Sequence, residues 1–168
     1  MSPLILFILK AGLIYGAWQL IYDLVILPDG RLDTFLSLSG VNAAGAILSF
    51  LGWDIDVTGR VITCVGRKGV EIQNGCNGLN LLGLYGGFIM AYPGPWSKRL
   101  SVLVSGILLL YLANCIRIAF FAVFNASLPQ YFQLAHDMSS YIFFYPIVLS
   151  FWYIWTQVSE EETLLNLA

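Results

Sequence analysis

The chain is laid out in blocks, long apolar runs separated by short clusters of glycine, proline and charge. Leu4 to Leu27 is the first run, with Lys10 about two turns in and able to snorkel to the near interface. Pro28-Asp29-Gly30-Arg31 breaks it, and Thr34 to Gly52 follows, diluted by Ser37, Ser39, Asn42, Ser49 and several glycines. That second segment either crosses the bilayer or lies along its surface. Trp53 to Gln73 is the one extended polar stretch. Its two β-rich runs, Val61 to Val65 and Val70 to Gln73, are joined by Gly66-Arg67-Lys68-Gly69 and predict a short β-hairpin. Gly75 to Tyr92 is a glycine-rich run closed by Pro93-Gly94-Pro95-Trp96-Ser97-Lys98-Arg99, Leu100 to Phe124 is the next, and Ser139 to Trp155 is the last. An acidic tail, Glu160-Glu161-Glu162, follows. A bilayer core of ~30 Å takes about 20 apolar residues per helix. The pattern therefore predicts an all-α polytopic membrane protein, one integral membrane domain over residues 1–168. Four or five transmembrane helices fall at about 4–27, 34–52, 76–92, 100–124 and 139–155, with an extracytoplasmic β-hairpin within 53–75.

Composition narrows the function. Of 168 residues 58% are apolar and 11% charged, against about 25% charged in a soluble domain. Three cysteines are too few for a disulfide scaffold or a four-ligand zinc site, and a net charge of -2 offers no basic surface for nucleic acid. Neither a metal nor a cofactor is expected. Met1 to Pro3 lacks a basic n-region and the first run ends without a small-residue cleavage pattern, so the first span is expected to stay in the mature protein.

Orientation follows from lysine and arginine in short turns. Lys98 and Arg99, read as topology determinants, place the Pro93 to Arg99 turn in the cytoplasm and the hairpin, with Arg60, Arg67 and Lys68, outside. If 34–52 spans, the amino terminus is outside and there are five helices. If it is interfacial, the amino terminus is inside and there are four.

Three polar residues then fall on one membrane face. Arg117 is the only charged residue between Arg99 and Asp137, and burying a guanidinium in a bilayer costs at least ~2.5 kcal/mol. It lies 18 residues after Arg99, a rise of roughly 27 Å, which carries it to the outer interface. Cys76 is 16 residues before Tyr92, roughly 24 Å away, so it sits at the outer end of the preceding helix. His136, the only histidine, lies just before the last span, again outside.

Their chemistry is complementary. A thiol attacks as thiolate, and a neighbouring cation or imidazole lowers its pKa. Arginine is always charged and stabilises an oxyanion, and histidine shuttles a proton to a leaving amine. Cys76, Asn80, Gly83 and Gly87 follow helical spacing, with Asn80 placed to hydrogen-bond beside the thiol and the glycines to admit another helix. Asn114, one turn before Arg117, is placed to orient it. Taken singly, Cys76 is also compatible with a disulfide to Cys64, Arg117 with snorkelling to lipid phosphate, and His136 beside Asp137 with an ordinary surface position. Cys115 reads as packing and the aromatic last span as lipid-facing belt.

The stretch Glu71-Ile72-Gln73-Asn74-Gly75-Cys76-Asn77-Gly78-Leu79, then Asn114-Cys115-Ile116-Arg117-Ile118, then His136, resembles the exosortase/archaeosortase family of membrane-embedded cysteine transpeptidases, over roughly Thr34 to Trp155. Members carry a Cys-Ser-Gly or Cys-Asn-Gly nucleophile motif, an Asn-x-x-Arg motif on the next helix and a later His. The resemblance thus implies Cys76, Arg117 and His136 as catalytic, with Asn77, Asn80 and Asn114 in support. Asn77 stands where Ser is commoner, Ser139 and Ser140 where a Gly often follows the His, and the chain is shorter than members with extra amino-terminal helices.

The resemblance further implies cleavage of carboxy-terminal sorting signals, typified by PEP-CTERM tails, through a thioester at the extracytoplasmic face of the plasma (inner) membrane. The partners are then the bilayer and a membrane-anchored protein substrate. Two alternatives remain open from the residues. One is a membrane thiol oxidoreductase using Cys64 and Cys76, though no close Cys-x-x-Cys pair or quinone site is visible. The other is a non-catalytic membrane assembly subunit.

Overall fold

The computed structural model describes residues 3–165, with side chains from residue 4 to residue 160. Helix α1 (Pro3–Ile21) widens into a π-helical turn at Tyr22–Ile26 and closes with the short α2 (Leu27–Asp29). The break falls at Gly30, whose φ of 66° lies in the left-handed region that penalises any residue with a Cβ. Helix α3 (Arg31–Phe50) follows at once. Its buried stripe, Asp33, Ser37, Gly40, Val41, Ala44, Gly45 and Leu48, is mostly small or polar. Small side chains let α3 lie close to the elements that follow, with Gly40 against Ile118 and Gly45 against Val57.

The polar stretch folds as a three-stranded antiparallel sheet in the order β1 (Ile55–Thr58), β2 (Val61–Cys64), β3 (Val70–Glu71). The expected hairpin is the β2–β3 half, with Ile62 opposite Val70. The added strand, β1, pairs with β2 through the tight Gly59-Arg60 turn, where Gly59 takes a φ of 59°. Its alternation of Ile55 and Val57 with exposed Asp56 and Thr58 is that of a half-covered edge strand.

Helix α4 (Leu79–Ala91) leads through a short turn to α5 (Trp96–Ser127). In place of a single last helix from residue 139, the chain makes a 3-10 turn at Pro129–Tyr131, then α6 (Phe132–Phe143), then α7 (Tyr145–Leu165). Pro146 has no N–H to donate back to Ile142 and its ring crowds that carbonyl, so one helix ends at Phe143 and the next begins with the proline in its first turn. Glu160 is exposed on α7, while the side chains of Glu161 and Glu162 lie outside the described residues. Among the described residues three stretches are long and apolar enough to cross a bilayer: Leu4–Asp29, Trp96–Ser127 and Pro129–Glu160. Helix α4 is apolar but has only 13 residues, a rise of ~20 Å. The chain is an α-helical, multi-spanning membrane protein.

Packing organises itself along α5. Around its carboxy-terminal part, Ile118, Ala119, Phe121 and Ala122 meet Val41 and Leu48 of α3 and Ile62, Val70 and Ile72 of the sheet. Around its first part, Leu110 and Ala113 meet Tyr85 and Ile89 of α4 and Val148 and Trp155 of α7. Phe7 stands edge-on to Phe88 and Tyr92 at 5.7 and 5.4 Å, so the start of α1 lies at the end of α4. Arg99 differs from its expected role as a topology signal alone. It is 8% exposed, donates to the carbonyls of Tyr92 and Gly94 at 3.1 and 3.0 Å, and lies over the rings of Trp96 and Trp155. It clamps the α4–α5 turn to the end of α7. The candidate nucleophile lies at the opposite end of α4, where the two packing regions meet.

Candidate active site

Cys76 sits in a four-residue turn, Gly75-Cys76-Asn77-Gly78, between β3 and α4. Gly75 and Gly78 take φ of 80° and 85°, a backbone path that other L-residues adopt only with strain. The turn is tied down from three sides. Cys76 N–H donates to Gln73 O at 3.1 Å. Asn77 Oδ1 accepts from Leu79 N–H at 3.0 Å and so satisfies a free donor in the first turn of α4. Asn114 Nδ2 on α5 donates to Asn77 O at 2.9 Å.

The anchor of this turn is a residue that the sequence did not single out. Asp33, fully buried on α3, accepts through Oδ1 from Asn77 Nδ2 at 2.7 Å, Gly75 N–H at 3.0 Å and the Tyr22 hydroxyl at 3.2 Å. Beside Asp29 and Arg31 it reads as one more charge at a helix start. Its spacing with Ser37, Gly40 and Ala44, which puts all four on one helix face, is the signal that it points inward.

Cys76 Sγ lies 4.0 Å from His136 Nε2. His136 is carried on α6, and its ring stacks on Phe121 at 5.5 Å. Its Nδ1 is 3.5 Å from Asp137 Oδ1, a long contact to an exposed carboxylate. Arg117 is 5% exposed. Its guanidinium lies over Phe121 at 5.3 Å and Phe144 at 4.8 Å, and Nη2 donates to Cys76 O. The side chain therefore points into the protein instead of snorkelling to lipid, and Nε keeps a buried N–H with no partner among the described residues.

The supporting asparagines have other partners than expected. Helix α4 starts at Leu79, so Cys76 precedes it and does not share a helical stripe with Asn80. Asn80 Oδ1 instead accepts from Trp18 Nε1 on α1 at 3.0 Å. Asn114 holds Asn77 O rather than orienting Arg117. Gly83 faces α1, where a Cβ would fall on the indole of Trp18. Cys64, Cys76 and Cys115 are all free thiols, so the Cys64–Cys76 disulfide is not formed. The Cys64 thiol points at Ala122 O at 3.6 Å, and burial pushes its pKa up, which makes it a poor nucleophile. Among the described residues no three His, Cys, Asp or Glu side chains gather as metal ligands would.

Two cavities meet at the turn. The first, about 460 Å³, is lined by Gly69 to Gln73, Cys76, Phe121, Phe132, Gln133 and His136. The second, about 210 Å³, is lined by Gly75, Gly78 and Arg117 together with Tyr15, Leu81 and Leu84 of the apolar helices α1 and α4. A thiol, an imidazole and a guanidinium are thus gathered where the two cavities adjoin.

No curated protein and no solved structure matches the chain. The family model for transmembrane exosortase (Exosortase_EpsH) matches residues 5–153, which take in every helix from α1 into α7, the sheet and the whole Cys76 turn. The chain belongs to the transmembrane exosortase family.

Proposed function

We propose that this protein is a cysteine transpeptidase that acts at the extracytoplasmic membrane face on exported proteins held by a carboxy-terminal, PEP-CTERM-like anchor. The observation that carries this reading is the 4.0 Å approach of Cys76 Sγ to His136 Nε2 beside Arg117, at the junction of the two cavities. His136 takes the thiol proton, and the Cys76 thiolate adds to a substrate carbonyl. Arg117 stabilises the resulting oxyanion with donors not spent on Cys76 O. The C–N bond then breaks, His136 protonates the leaving amine, and a thioester remains on Cys76. An acceptor nucleophile, deprotonated by His136, attacks the thioester and releases the thiol. The Cys–His distance is long for proton transfer and tightens when substrate fills the cavities.

The same reading fixes a topology. Helices α1, α4, α5 and α7 cross the inner membrane, the Lys98–Arg99 turn is cytoplasmic with the amino terminus, and α3 and the sheet lie outside. The antiparallel run of α1 and α4 supports it.

The test is replacement of Cys76 by Ala in the native host. Exported proteins that keep their carboxy-terminal apolar peptide should accumulate in the membrane fraction, as read by mass spectrometry of carboxy-terminal peptides. Unchanged processing in Cys76→Ala would overturn the reading.

A further inference from the structure

One wall of the cavity that holds Cys76 is main chain. Strand β3 is the last in the sheet and pairs with β2 on one side only. Ile72 N–H donates to Arg60 O at 2.9 Å, and Val70 stands opposite Ile62. Both therefore turn their main-chain groups towards β2. Glu71, between them and opposite Val61, turns its N–H and C=O the other way, along the open edge. That edge lines the cavity of about 460 Å³ shared by Cys76 and His136. It is also held in place at both ends. Asn125 Nδ2 on α5 donates to Lys68 O at 2.8 Å before the strand, and Arg60 Nη1 donates to Asn74 Oδ1 at 2.5 Å after it. Four residues separate Glu71 from the nucleophile. Free sheet edges are ordinarily blunted or covered, whereas this one is kept rigid and unpaired within the reaction cavity.

We propose that β3 takes the substrate as an added strand. An extended peptide lies along Glu71, whose N–H and C=O each make one main-chain hydrogen bond to it, and the next residues of the peptide deliver a carbonyl to Cys76. This inference rests on the transpeptidase reading. Strand β3 runs towards Cys76, with the cavity of membrane helices beyond it. A substrate anchored by its carboxy terminus enters with its amino-terminal side outward, so it runs parallel to β3. Recognition through main chain leaves residue preference to the side chains above and below, the apolar Phe121 and Phe132 and the polar Lys68 and Gln133.

The experiment uses the full chain in nanodiscs and two alkylating probes. Acetyl-trialanyl chloromethyl ketone carries a peptide backbone, and Cys76 Sγ displaces its chloride; iodoacetamide carries none. Proline on an edge strand is tolerated when its missing N–H faces outward. Glu71→Pro thus removes the outward donor, while Glu71→Ala removes the side chain and keeps it. The ratio of peptide-probe to iodoacetamide rates at Cys76 should fall about fivefold in Glu71→Pro, the worth of one net hydrogen bond, and stay at the wild-type value in Glu71→Ala. An unchanged ratio in Glu71→Pro, or an equal fall in both variants, overturns strand addition. Should Glu71→Pro unfold, so that Cys64 and Cys115 also react, the wild-type protein decides the matter. A probe N-methylated at the residue facing Glu71 C=O should react about fivefold more slowly, and an equal rate overturns the inference. The two failures are separable: normal processing in Cys76→Ala removes the transpeptidase reading, whereas an insensitive ratio removes strand addition alone.

Discussion

Asp33 and Asn77, 44 residues apart in sequence, share a buried carboxylate–amide hydrogen bond of 2.7 Å, and through it helix α3 holds the turn that presents Cys76. Three donors converge on Asp33 Oδ1, while Oδ2 has no partner among the described residues. The two oxygens are therefore unequal. Asp33→Asn can keep Oδ1 as the acceptor and put its amide where Oδ2 stood, so it is expected to fold and to keep Cys76 reactive. Asp33→Ala leaves the donors of Tyr22, Gly75 and Asn77 without an acceptor, at roughly 1 kcal/mol or more each. Thermal unfolding in detergent should fall markedly for Ala and little for Asn. Equal losses would mean that the carboxylate charge, not the acceptor geometry, holds the turn.

Arg117→Lys separates a general positive charge from a planar fork. Both side chains cost about the same to place in a membrane helix. An ammonium cannot hold Cys76 O and at the same time offer a second donor in the guanidinium plane. The variant should insert and fold normally, its Cys76 should still be alkylated, and substrate processing should slow at least roughly tenfold. Wild-type processing by Arg117→Lys would remove the oxyanion role.

Cys64 tests the redox alternative and carries a pH signature. Its folded pKa is raised from the ordinary 9.0 by burial. Above that pH the unfolded chain ionises at Cys64 while the folded chain holds the proton, so stability falls as pH rises through this range. Cys64→Ser keeps a donor to Ala122 O and removes the titration. Its stability should decline less steeply above pH ~9, and substrate processing should survive. Loss of processing in Cys64→Ser would favour thiol redox chemistry.

Gly83 probes packing away from the chemistry. A methyl group there meets the Trp18 indole, whose Nε1 is already fixed by Asn80. Gly83→Ala should lower stability by ~1–3 kcal/mol through overpacking between α1 and α4. At low temperature the rate of Cys76 alkylation should match wild type. A stability equal to wild type would show that α1 can shift freely on α4.

Residues that stand out against an apolar background were legible, and residues defined by distant partners were not. Gly30 stops a helix through its own backbone freedom, and Arg117 has to be compensated wherever it lies in a long apolar run. The two β-rich runs around Gly66 to Gly69 pair as local chemistry dictates. Asp33 looked ordinary because its partners Gly75 and Asn77 lie more than 40 residues away. Helical spacing points Asn80 and Asn114 to neighbours on their own helices, whereas their hydrogen bonds run to α1 and to the Cys76 turn. Strand β1 is a short half-exposed edge, and α6 reads as the head of a membrane helix until Pro146 is given its effect on Ile142.

Helix α5 is continuous from Trp96 to Ser127, so the residue that clamps the α4–α5 turn, Arg99, and the residue beneath the nucleophile, Arg117, stand on one stiff rod. Its 32 residues reach ~48 Å, against a hydrocarbon layer of ~30 Å. The height of the Cys76 turn is thus measured from the Arg99 end by the pitch of a helix and not by the slack of a loop. Any chain anchored in the same bilayer is gauged against that rod. Each residue inserted in a helical anchor displaces the peptide by ~1.5 Å relative to the thiol. On the transpeptidase reading proposed above, depth alone then decides which bond is presented, and a change in membrane thickness would alter the choice without touching a single contact in the protein.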